Sequence, residues 1–486
     1  MNRSIIIYIV GYVILLEGVM LLLPCLVSLI YQEPEGLDYL VMAVICMLLG
    51  AIIVKRKPKS NVFYLKEGCI ATALSWIALS IFGALPMTIS GDIPSFTNAL
   101  FETISGFTTT GASILSDVEA LSFTTLFWRS FTHWIGGMGV LVFLLAVLPL
   151  SGGSNINLMK AESPGPSVGK LVPKIKYTAR ILYIIYIVLT LIEIILLIAG
   201  KMPVFDALCS AFGTAGTGGF ATKNDSMAGF SPYLQWVVTI FMILFGVNFN
   251  AYYLLLFGHI KKALKMEEVR AYFIIIAASI LIIVLNLMQT MSNFWDALRH
   301  ASFQVASIIT TTGFASLDFD KWNQTCKTIL VMLMFIGACA GSTGGGIKVS
   351  RFLIVIKNVV KELNSYLHPK SIKKIKMDGK PVEHEVVRAV NVYFITFLVL
   401  FAFSVLLISF EGKDMTTNFT AVAATINNIG PGLELVGPSK NFGIYGTFSK
   451  YVLMFDMLAG RLEIFPLLLL FYPPAWKELF ACRKKK

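Results

Sequence analysis

The chain has 486 residues, of which 56% are hydrophobic and 14% are charged, whereas average globular domains have about 45–50% and about 25%. Its formal net charge is +12, and its mean hydropathy is +0.75. This composition excludes a disordered chain, a disulfide-rich secreted module and an ordinary soluble enzyme. It predicts an all-helical protein that crosses a membrane many times.

A bilayer core needs about 20 apolar residues per helix. Ten apolar runs reach or nearly reach this length, and we expect each to cross the membrane once: 5–30, 39–54, 69–89, 121–150, 181–200, 232–258, 271–292, 328–350, 388–410 and 449–473. The second run has only 16 residues, so its helix must extend at the ends.

Four shorter stretches rich in Gly, Thr and Ser alternate with these runs and are too short to cross: 95–112, 203–220, 294–314 and 415–432. With a cytoplasmic N terminus, the inner segments carry 30 of the 40 Lys and Arg residues, as the positive-inside rule requires. The four stretches then enter the membrane from the outer side and return, and both termini are expected in the cytoplasm.

The short stretches are copies of one unit. FETISGFTTTG (101–111) and FQVASIITTTG (303–313) share six of eleven residues without a gap. CSAFGTAGTGG and TAVAATINNIG end in the same way, at Gly219 and Gly430. The sequence therefore predicts four repeats of helix, short pore helix, glycine turn and helix, preceded by two additional transmembrane helices.

Non-helical backbone at membrane depth is tolerated only where it is buried in protein or lines water. Four such turns entering from one face predict a pseudo-fourfold ring, in which backbone carbonyls replace the hydration shell of an ion. The C-terminal dipole ends of the short helices would favour a cation at the centre. The four turns are therefore a candidate cation filter.

A glycine-rich segment, GACAGSTGGGIKVSR (337–351), interrupts one apolar run. Its glycine density predicts a broken helix inside the membrane, although close helix packing through small residues is the alternative. Lys348 at its inner end places its charge in a cation path or extends to the membrane interface. Arg461, inside another span, pairs with Asp456 or Glu463, or with a partner on a different helix.

Six segments carry a family resemblance: ETISGFTTTGAS, HWIGGMGVLVF, FQVASIITTTGFA, GSTGGGIKVSR, INNIGPGLELVGPSKNF and GRLEIFPLLLLF. Through them the chain resembles the TrkH-type potassium uptake proteins of the Trk/Ktr/HKT superfamily over nearly its whole length. The resemblance implies a pore in each subunit, a homodimer and inward potassium conduction across the cytoplasmic membrane of a bacterium.

The resemblance also implies site residues. The K⁺-binding filter would consist of Thr108, Thr109, Thr110, Gly111, Thr217, Gly218, Gly219, Thr310, Thr311, Thr312, Gly313, Asn427, Asn428, Ile429 and Gly430. An intramembrane gate below it would consist of Gly341, Ser342, Thr343, Gly344, Gly345, Gly346, Lys348 and Arg461. Repeats two and four read GTGG and NNIG instead of TTTG, so we expect altered side-chain oxygens at two corners and weaker selectivity over sodium than in ordinary potassium channels.

The residues predicted to lie on the inner face indicate which partners the protein binds. The basic loop 351–388 suits anionic lipid headgroups or a cytosolic protein. No GxGxxG motif follows a strand, so we expect no nucleotide domain in this chain. The resemblance implies a separate, cytosolic, nucleotide-binding TrkA-like regulatory subunit. We expect K⁺ as the transported ion, with no organic cofactor, nucleic acid or enzymatic activity.

The predicted organisation comprises two additional helices, three pore repeats and a last repeat with a basic tail, at 1–68, 69–180, 181–270, 271–387 and 388–486. The alternative function is a secondary potassium symporter coupled to H⁺ or Na⁺, working by alternating access. Carriers of that class more often have inverted repeats, whereas all four repeats here have one orientation. This difference favours a pore.

Overall fold

A computed structural model of the chain describes residues 2–58, 64–139, 175–369 and 374–476. Within these ranges the secondary structure is almost entirely helical, and a small antiparallel hairpin of β1 (Lys376–Met377) and β2 (Lys380–Pro381) is the only sheet. The prediction of an all-helical membrane fold is confirmed. The end of run 121–150 and the basic tail from residue 477 lie outside the described residues.

In the first half of the chain the helices are α1 (Arg3–Met20), α2 (Leu22–Tyr31), α3 (Gly36–Lys55), α4 (Leu65–Ile89), α5 (Phe96–Phe107), α6 (Phe123–Met138), α7 (Ile175–Ala199), α8 (Val204–Gly216) and α9 (Pro232–Phe245). In the second half they are α10 (Phe249–Leu256), α11 (Ile260–Lys265), α12 (Glu267–Leu287), α13 (Phe294–Ile309), α14 (Gln324–Phe335), α15 (Val349–Leu367), α16 (His384–Ser409), α17 (Met415–Ile426), α18 (Thr447–Arg461) and α19 (Phe465–Phe471).

Six helical segments of the described chain are long and apolar enough to cross a membrane: Arg3–Tyr31, Gly36–Lys55, Leu65–Ile89, Arg180–Ala199, Glu267–Leu287 and His384–Ser409. Each coincides with one of the ten predicted runs. Helix α3 has 20 residues, so it extends beyond its 16-residue run as the bilayer thickness requires.

Besides run 328–350, which the glycine-rich segment interrupts, two predicted runs are not single helices. Run 232–258 forms α9 and α10, which meet at 90°. Run 449–473 forms α18 and α19, and between them Glu463 and Ile464 have positive φ angles of 52° and 72°. The expectation of straight crossings is wrong at both places because tertiary contacts, described below, bind the backbone where it bends.

Four short helices, α5, α8, α13 and α17, lie in the four short stretches of the sequence. Each packs against the helix that follows the short helix of the preceding unit: α8 on α6, α13 on α9, α17 on α14, and α5 on α18. The final contact joins the first unit to the last, so the packing is cyclic. Helices α1 and α3 pack on each other, and α1 also packs on α4, beside the first unit.

Polar caps fix where two of the short helices begin. Asn293 Oδ1 accepts the amide of Trp295 at 3.0 Å, and Asp414 Oδ1 accepts the amide of Thr417 at 2.8 Å. The Thr417 hydroxyl also donates to Asp414, and these bonds hold the pKa of the Asp414 carboxyl below its ordinary value. The carboxylate therefore stays charged at the positive end of a helix dipole.

Candidate functional site

The four short helices end in the same backbone conformation. Two residues before each glycine the φ angle is positive: 55° at Thr109, 54° at Thr217, 59° at Thr311 and 55° at Asn428. The following glycines have φ of 77° at Gly111, 81° at Gly219, 84° at Gly313 and 100° at Gly430. Since non-glycine residues rarely adopt positive φ, the coincidence at four places is not a consequence of local sequence, which differs between them.

One hydrogen bond recurs at each of these turns. The residue before the glycine donates its amide to the carbonyl five residues earlier, always at 2.8 Å: Thr110 to Ser105, Gly218 to Gly213, Thr312 to Ser307 and Ile429 to Ala424. This bond closes the end of the short helix and turns the chain sharply. The four segments are therefore superimposable in geometry even where their sequences read GTGG or NNIG.

The four turns form a closed ring. Each glycine lies so close to a carbonyl oxygen of the next unit that a methyl group would displace it, and the pairs are Gly111 with Gly218, Gly219 with Thr312, Gly313 with Ile429 and Gly430 with Thr110. At Gly430 the added carbon would lie 2.7 Å from the Thr110 oxygen. Glycine is required at these positions by both the positive φ and the close approach.

Side-chain hydroxyls stabilise two opposite corners of this ring. Thr108 and Thr110 share a hydrogen bond of 2.8 Å, and Thr310 and Thr312 share one of 2.7 Å. Thr108 also bonds to the Ile104 carbonyl at 2.6 Å. These hydroxyls hold the turns in place, so the backbone carbonyls are the freer oxygens of the ring.

The fourth corner is bonded differently. Asn428 Nδ2 donates to the Thr110 hydroxyl and to the Met457 carbonyl, both at 2.9 Å. Asn427 Nδ2 donates to the carbonyl of Ala423 at 2.9 Å. The asparagines thus replace a threonine hydroxyl pair by bonds that join the fourth unit directly to the first.

The glycine-rich segment interrupts the helix as predicted. Helix α14 ends at Phe335, α15 begins at Val349, and residues 336–348 form a non-helical loop, which we call the intramembrane loop. Its two ends are joined by backbone bonds from Gly337 to Ile347 at 2.8 Å and from Val349 to Ala338 at 3.2 Å. The loop is therefore a closed structural element.

The intramembrane loop contacts the ring on the side of the third and fourth corners. The Gly345 amide donates to the Thr311 hydroxyl at 2.6 Å. A methyl group at Gly345 would lie 2.8 Å from the Asn427 carbonyl, and one at Gly344 would lie 3.0 Å from the Thr310 carbonyl. Only glycines permit this approach, which places the loop directly against the carbonyls that precede the ring glycines.

Arg461 joins the intramembrane loop to the first unit. Its guanidinium donates to the Thr343 carbonyl at 3.0 Å, to the Gly137 carbonyl at 2.8 Å and to the Gly136 carbonyl. Of the two acidic residues that sequence reasoning offered as partners, Asp456 accepts the Ser404 hydroxyl at 2.7 Å, and Glu463 pairs with Arg351.

Other loop residues are held within the loop or against the bend of α9 and α10. Lys348 is buried and donates to the Gly344 and Gly345 carbonyls, so its ammonium turns back onto the loop and does not extend to an interface. The Ser342 hydroxyl bonds to the Cys339 carbonyl at 2.6 Å. The Gly341 carbonyl accepts the amide of Phe249, which explains why run 232–258 bends there.

Glu268 is a functional candidate that the sequence analysis missed. Its Oε1 accepts the amide of Ala340 within the intramembrane loop at 2.7 Å and the amide of Ser350, in the first turn of α15, at 3.1 Å. Its Oε2 accepts Asn248 Nδ2 at 3.3 Å. A carboxylate at the edge of an apolar span was the available signal, but Ala340 and Ser350 lie more than 70 residues away in sequence.

A second break in the chain is held by an ion pair. Arg351, at the start of α15, pairs with Glu463 between α18 and α19, and its guanidinium lies 4.0 Å from the ring centroid of Tyr393. Glu463 and Ile464 have positive φ, and a β-branched residue such as isoleucine rarely adopts this conformation. The pair thus fixes the bend that splits run 449–473.

Arg129 and Glu102 form a buried pair behind the ring. The Arg129 Nη2 to Glu102 Oε2 distance is 2.9 Å, and both side chains are inaccessible to solvent. Glu102 Oε1 also accepts the Ser113 hydroxyl and the Ile114 amide, each at 2.7 Å. The pair braces the segment that follows Gly111, so its role in the geometry is structural.

The fold and the site together define a helical membrane protein whose centre is a fourfold ring of backbone turns with an intramembrane loop packed against it. A sequence profile of the TrkH family, described as cation transport proteins, matches residues 40–477. The chain belongs to this family.

Relatives agree along almost the full length. The Trk system potassium uptake protein TrkH of Salmonella typhimurium is 36% identical, over 97% of this chain and 98% of the relative. The Trk system potassium uptake protein TrkG of Escherichia coli is 34% identical, over 96% and 97%. The crystal structure of the potassium transporter TrkH from Vibrio parahaemolyticus superimposes with a TM-score of 0.88, at 34% identity, over 98% of this chain and 100% of the other.

Proposed function

We propose that this protein conducts potassium ions into the cell across the cytoplasmic membrane of a bacterium, through the ring of four turns. The names of its relatives support potassium as the transported ion. The observation that carries the proposal is the cyclic contact of each filter glycine with a carbonyl of the next unit. A closed ring of carbonyl oxygens supplies the ligands that replace potassium hydration.

The proposed filter consists of three or four residues at each corner: Thr108–Gly111, Thr217–Gly219, Thr310–Gly313 and Asn427–Gly430. The short helices end at these corners, so their negative dipole ends add to the carbonyl field around a cation. A single glycine turn per corner provides fewer stacked carbonyl rings than a longer filter strand, and we expect correspondingly weaker exclusion of sodium.

The proposed gate consists of the intramembrane loop together with Arg461. Hydrogen bonds from Gly345 to Thr311 and from Arg461 to Thr343 support a closed state, in which the loop lies against the ring. Release of the loop would require breaking these bonds. Two further bonds hold the middle of the loop: Glu268 of α12 accepts the amide of Ala340, and the Gly341 carbonyl accepts the amide of Phe249 of α10, so movement of α10 or α12 would reach the loop.

The proposed assembly contains two copies of this chain and a cytosolic, nucleotide-binding regulatory subunit of the TrkA type. The Trk system names of the relatives support such a partner. The basic segment 351–388, which includes most of α15, the hairpin of β1 and β2 and the start of α16, is the proposed docking surface for that subunit and for anionic lipids, and both termini are proposed to be cytoplasmic. The pore repeats are proposed to begin at residues 69, 181, 271 and 388.

The test is ion flux through the purified protein in liposomes, with the potassium, sodium and pH gradients set independently. Flux should follow the potassium electrochemical gradient and should carry K⁺ and Rb⁺ faster than Na⁺. Flux that is driven uphill by a proton or sodium gradient would instead support the coupled symporter, and preference for sodium would refute the potassium filter.

Two glycines offer a matched pair of variants. Gly313→Ala should abolish K⁺ flux, because the methyl group would displace the Ile429 carbonyl. Gly91→Ala has the same positive φ, 85° against 84°, but open space around the added carbon, and should leave flux unchanged. Equal flux in the two variants would contradict the carbonyl ring as the ion path.

A further inference from the structure

The second corner of the ring lacks the side chain that the other corners have. The residue before the filter glycine is Gly218, where the corresponding residues are Thr110, Thr312 and Ile429. At the first and third corners the hydroxyl at this position bonds to a second threonine. Nothing on the backbone of Gly218 can form that bond, yet its turn has the same conformation as the others.

The imidazole of His133 fills the vacant volume. A carbon added to Gly218 would overlap the ring, lying 2.6 Å from Cδ2 and closer still to Cγ and Nδ1. His133 belongs to α6, the helix that follows α5 in the first unit, and is completely buried. The glycine at 218 therefore provides the space that the imidazole of His133 occupies, and the packing at the second corner depends on both residues.

Both nitrogens of the ring are bonded to the backbone on either side of a unit boundary. Nδ1 lies 2.8 Å from the Gly106 carbonyl, in the last turn of α5. Nε2 accepts the amide of Phe220, directly after Gly219, at 3.1 Å. A carbonyl can only accept and an amide can only donate, so these partners assign the neutral tautomer with the proton on Nδ1.

The aromatic ring of Phe220 is held by neighbouring side chains. The His133 and Phe220 rings lie 4.3 Å apart between centroids, and the Arg129 guanidinium lies 4.0 Å from the Phe220 ring. Arg129 is held in turn by Glu102. The segment that leaves the second corner is thus fixed by its amide on one side and by its ring on the other.

We propose that His133 is a positioning residue of the potassium filter and a determinant of its selectivity. It replaces the missing threonine side chain of the second corner, and its bond to the Phe220 amide sets the direction of the Gly218 and Gly219 carbonyls. This inference rests on the proposed function. Its consequence is that discrimination between K⁺ and Na⁺ depends on a residue outside the four filter turns.

A set of three single variants separates the two bonds. His133→Asn retains a donor near Nδ1 for Gly106 but cannot reach Phe220. His133→Gln retains an acceptor near Nε2 for Phe220, and His133→Ala loses both. The ratio of K⁺ to Na⁺ flux in liposomes should fall about tenfold in the Asn and Ala variants, roughly the effect of losing one hydrogen bond, and should be largely retained in the Gln variant.

Exchange of the two residues provides the second test. Gly218→Thr alone should abolish flux, because the side chain would collide with the imidazole. Combined with His133→Ala, the threonine can occupy the vacated volume, as the side chains of Thr110 and Thr312 do at the first and third corners. The double variant should therefore recover K⁺ flux and part of the selectivity that His133→Ala loses.

The outcomes distinguish this inference from the proposed function. If the unmodified protein carries no K⁺, the proposed function fails. If it does, but the single variants change the total flux and leave the K⁺ to Na⁺ ratio unchanged, His133 has only a structural role and the inference is overturned. Failure of the double variant to recover flux, with the protein still folded by size-exclusion chromatography, would also overturn it.

Discussion

Replacing Arg461 with glutamine should raise the basal ion flux. The Arg461 guanidinium donates to the Thr343 carbonyl on the intramembrane loop at 3.0 Å, while its bonds to Gly136 and Gly137 reach a different helix. The bond to Thr343 is therefore the one that is broken when the loop leaves the ring. Its loss should destabilise the closed state and leave the open state unaffected.

The size of the effect follows from this one bond. A hydrogen bond to a charged group contributes about 1.5–3 kcal/mol. If the bond exists only in the closed state, its loss shifts the equilibrium between open and closed states by about 10- to 150-fold. The Arg461→Lys variant keeps the charge but not the forked geometry. Its basal flux should therefore lie between those of the unmodified protein and of Arg461→Gln.

The assay is the initial rate of Rb⁺ uptake into liposomes that contain the purified protein without a partner. Lys321→Gln removes a positive charge from a side chain that is 82% exposed and pairs with Asp318, and it serves as the control. The Arg461→Gln rate should rise at least about tenfold above the control. An unchanged or lower rate, at an unchanged melting temperature, would refute the role of this bond in closure.

Three further predictions concern the loop and the buried pair. Gly345→Ala should raise Rb⁺ uptake several-fold, since its methyl group would lie 2.8 Å from the Asn427 carbonyl and push the loop from the ring; reduced uptake would contradict this. Glu268→Ala should speed hydrogen exchange at the amides of Ala340 and Ser350, because both lose a charged acceptor whose bonds contribute about 1.5–3 kcal/mol each. Mass spectrometry of peptides covering 337–351 checks this, and unaltered protection would contradict it. Arg129→Met should lower the free energy of unfolding by about 3–5 kcal/mol, because Glu102 is left charged and unpaired. Adding Glu102→Gln should partly restore the thermal unfolding temperature. If this recovery is absent, the loss of the ion pair is not the cause.

The membrane class, six of the long helices and the approximate positions of the four turns could be predicted from the sequence. Hydrophobic length is a local property, because the bilayer imposes one thickness on every crossing. The glycine-rich break after residue 335 was predictable for a similar reason, since several glycines within one apolar run do not sustain a helix.

The identity of hydrogen-bond partners was not predictable. Sequence reasoning offered Asp456 or Glu463, which are near in sequence, or an unspecified partner on a different helix for Arg461. The structure instead directs Arg461 to carbonyls of other units, and pairs Glu463 with Arg351. The 90° bend between α9 and α10 was also missed, because its cause is the contact of Phe249 with the intramembrane loop nearly 100 residues later.

The sequence by itself determined that the chain spans a membrane and contains four glycine turns of one kind, because composition and repeat spacing are readable without any contact. The ring was predicted, but only the tertiary structure decided which carbonyl each glycine meets, with the fourth unit adjacent to the first. The departures GTGG and NNIG are the clearest case. They read as weakened copies, yet the space that Gly218 leaves is filled by His133, and Asn428 bonds across to Thr110. Side chains from neighbouring units complete each corner, and such complementation between distant segments has no local signature.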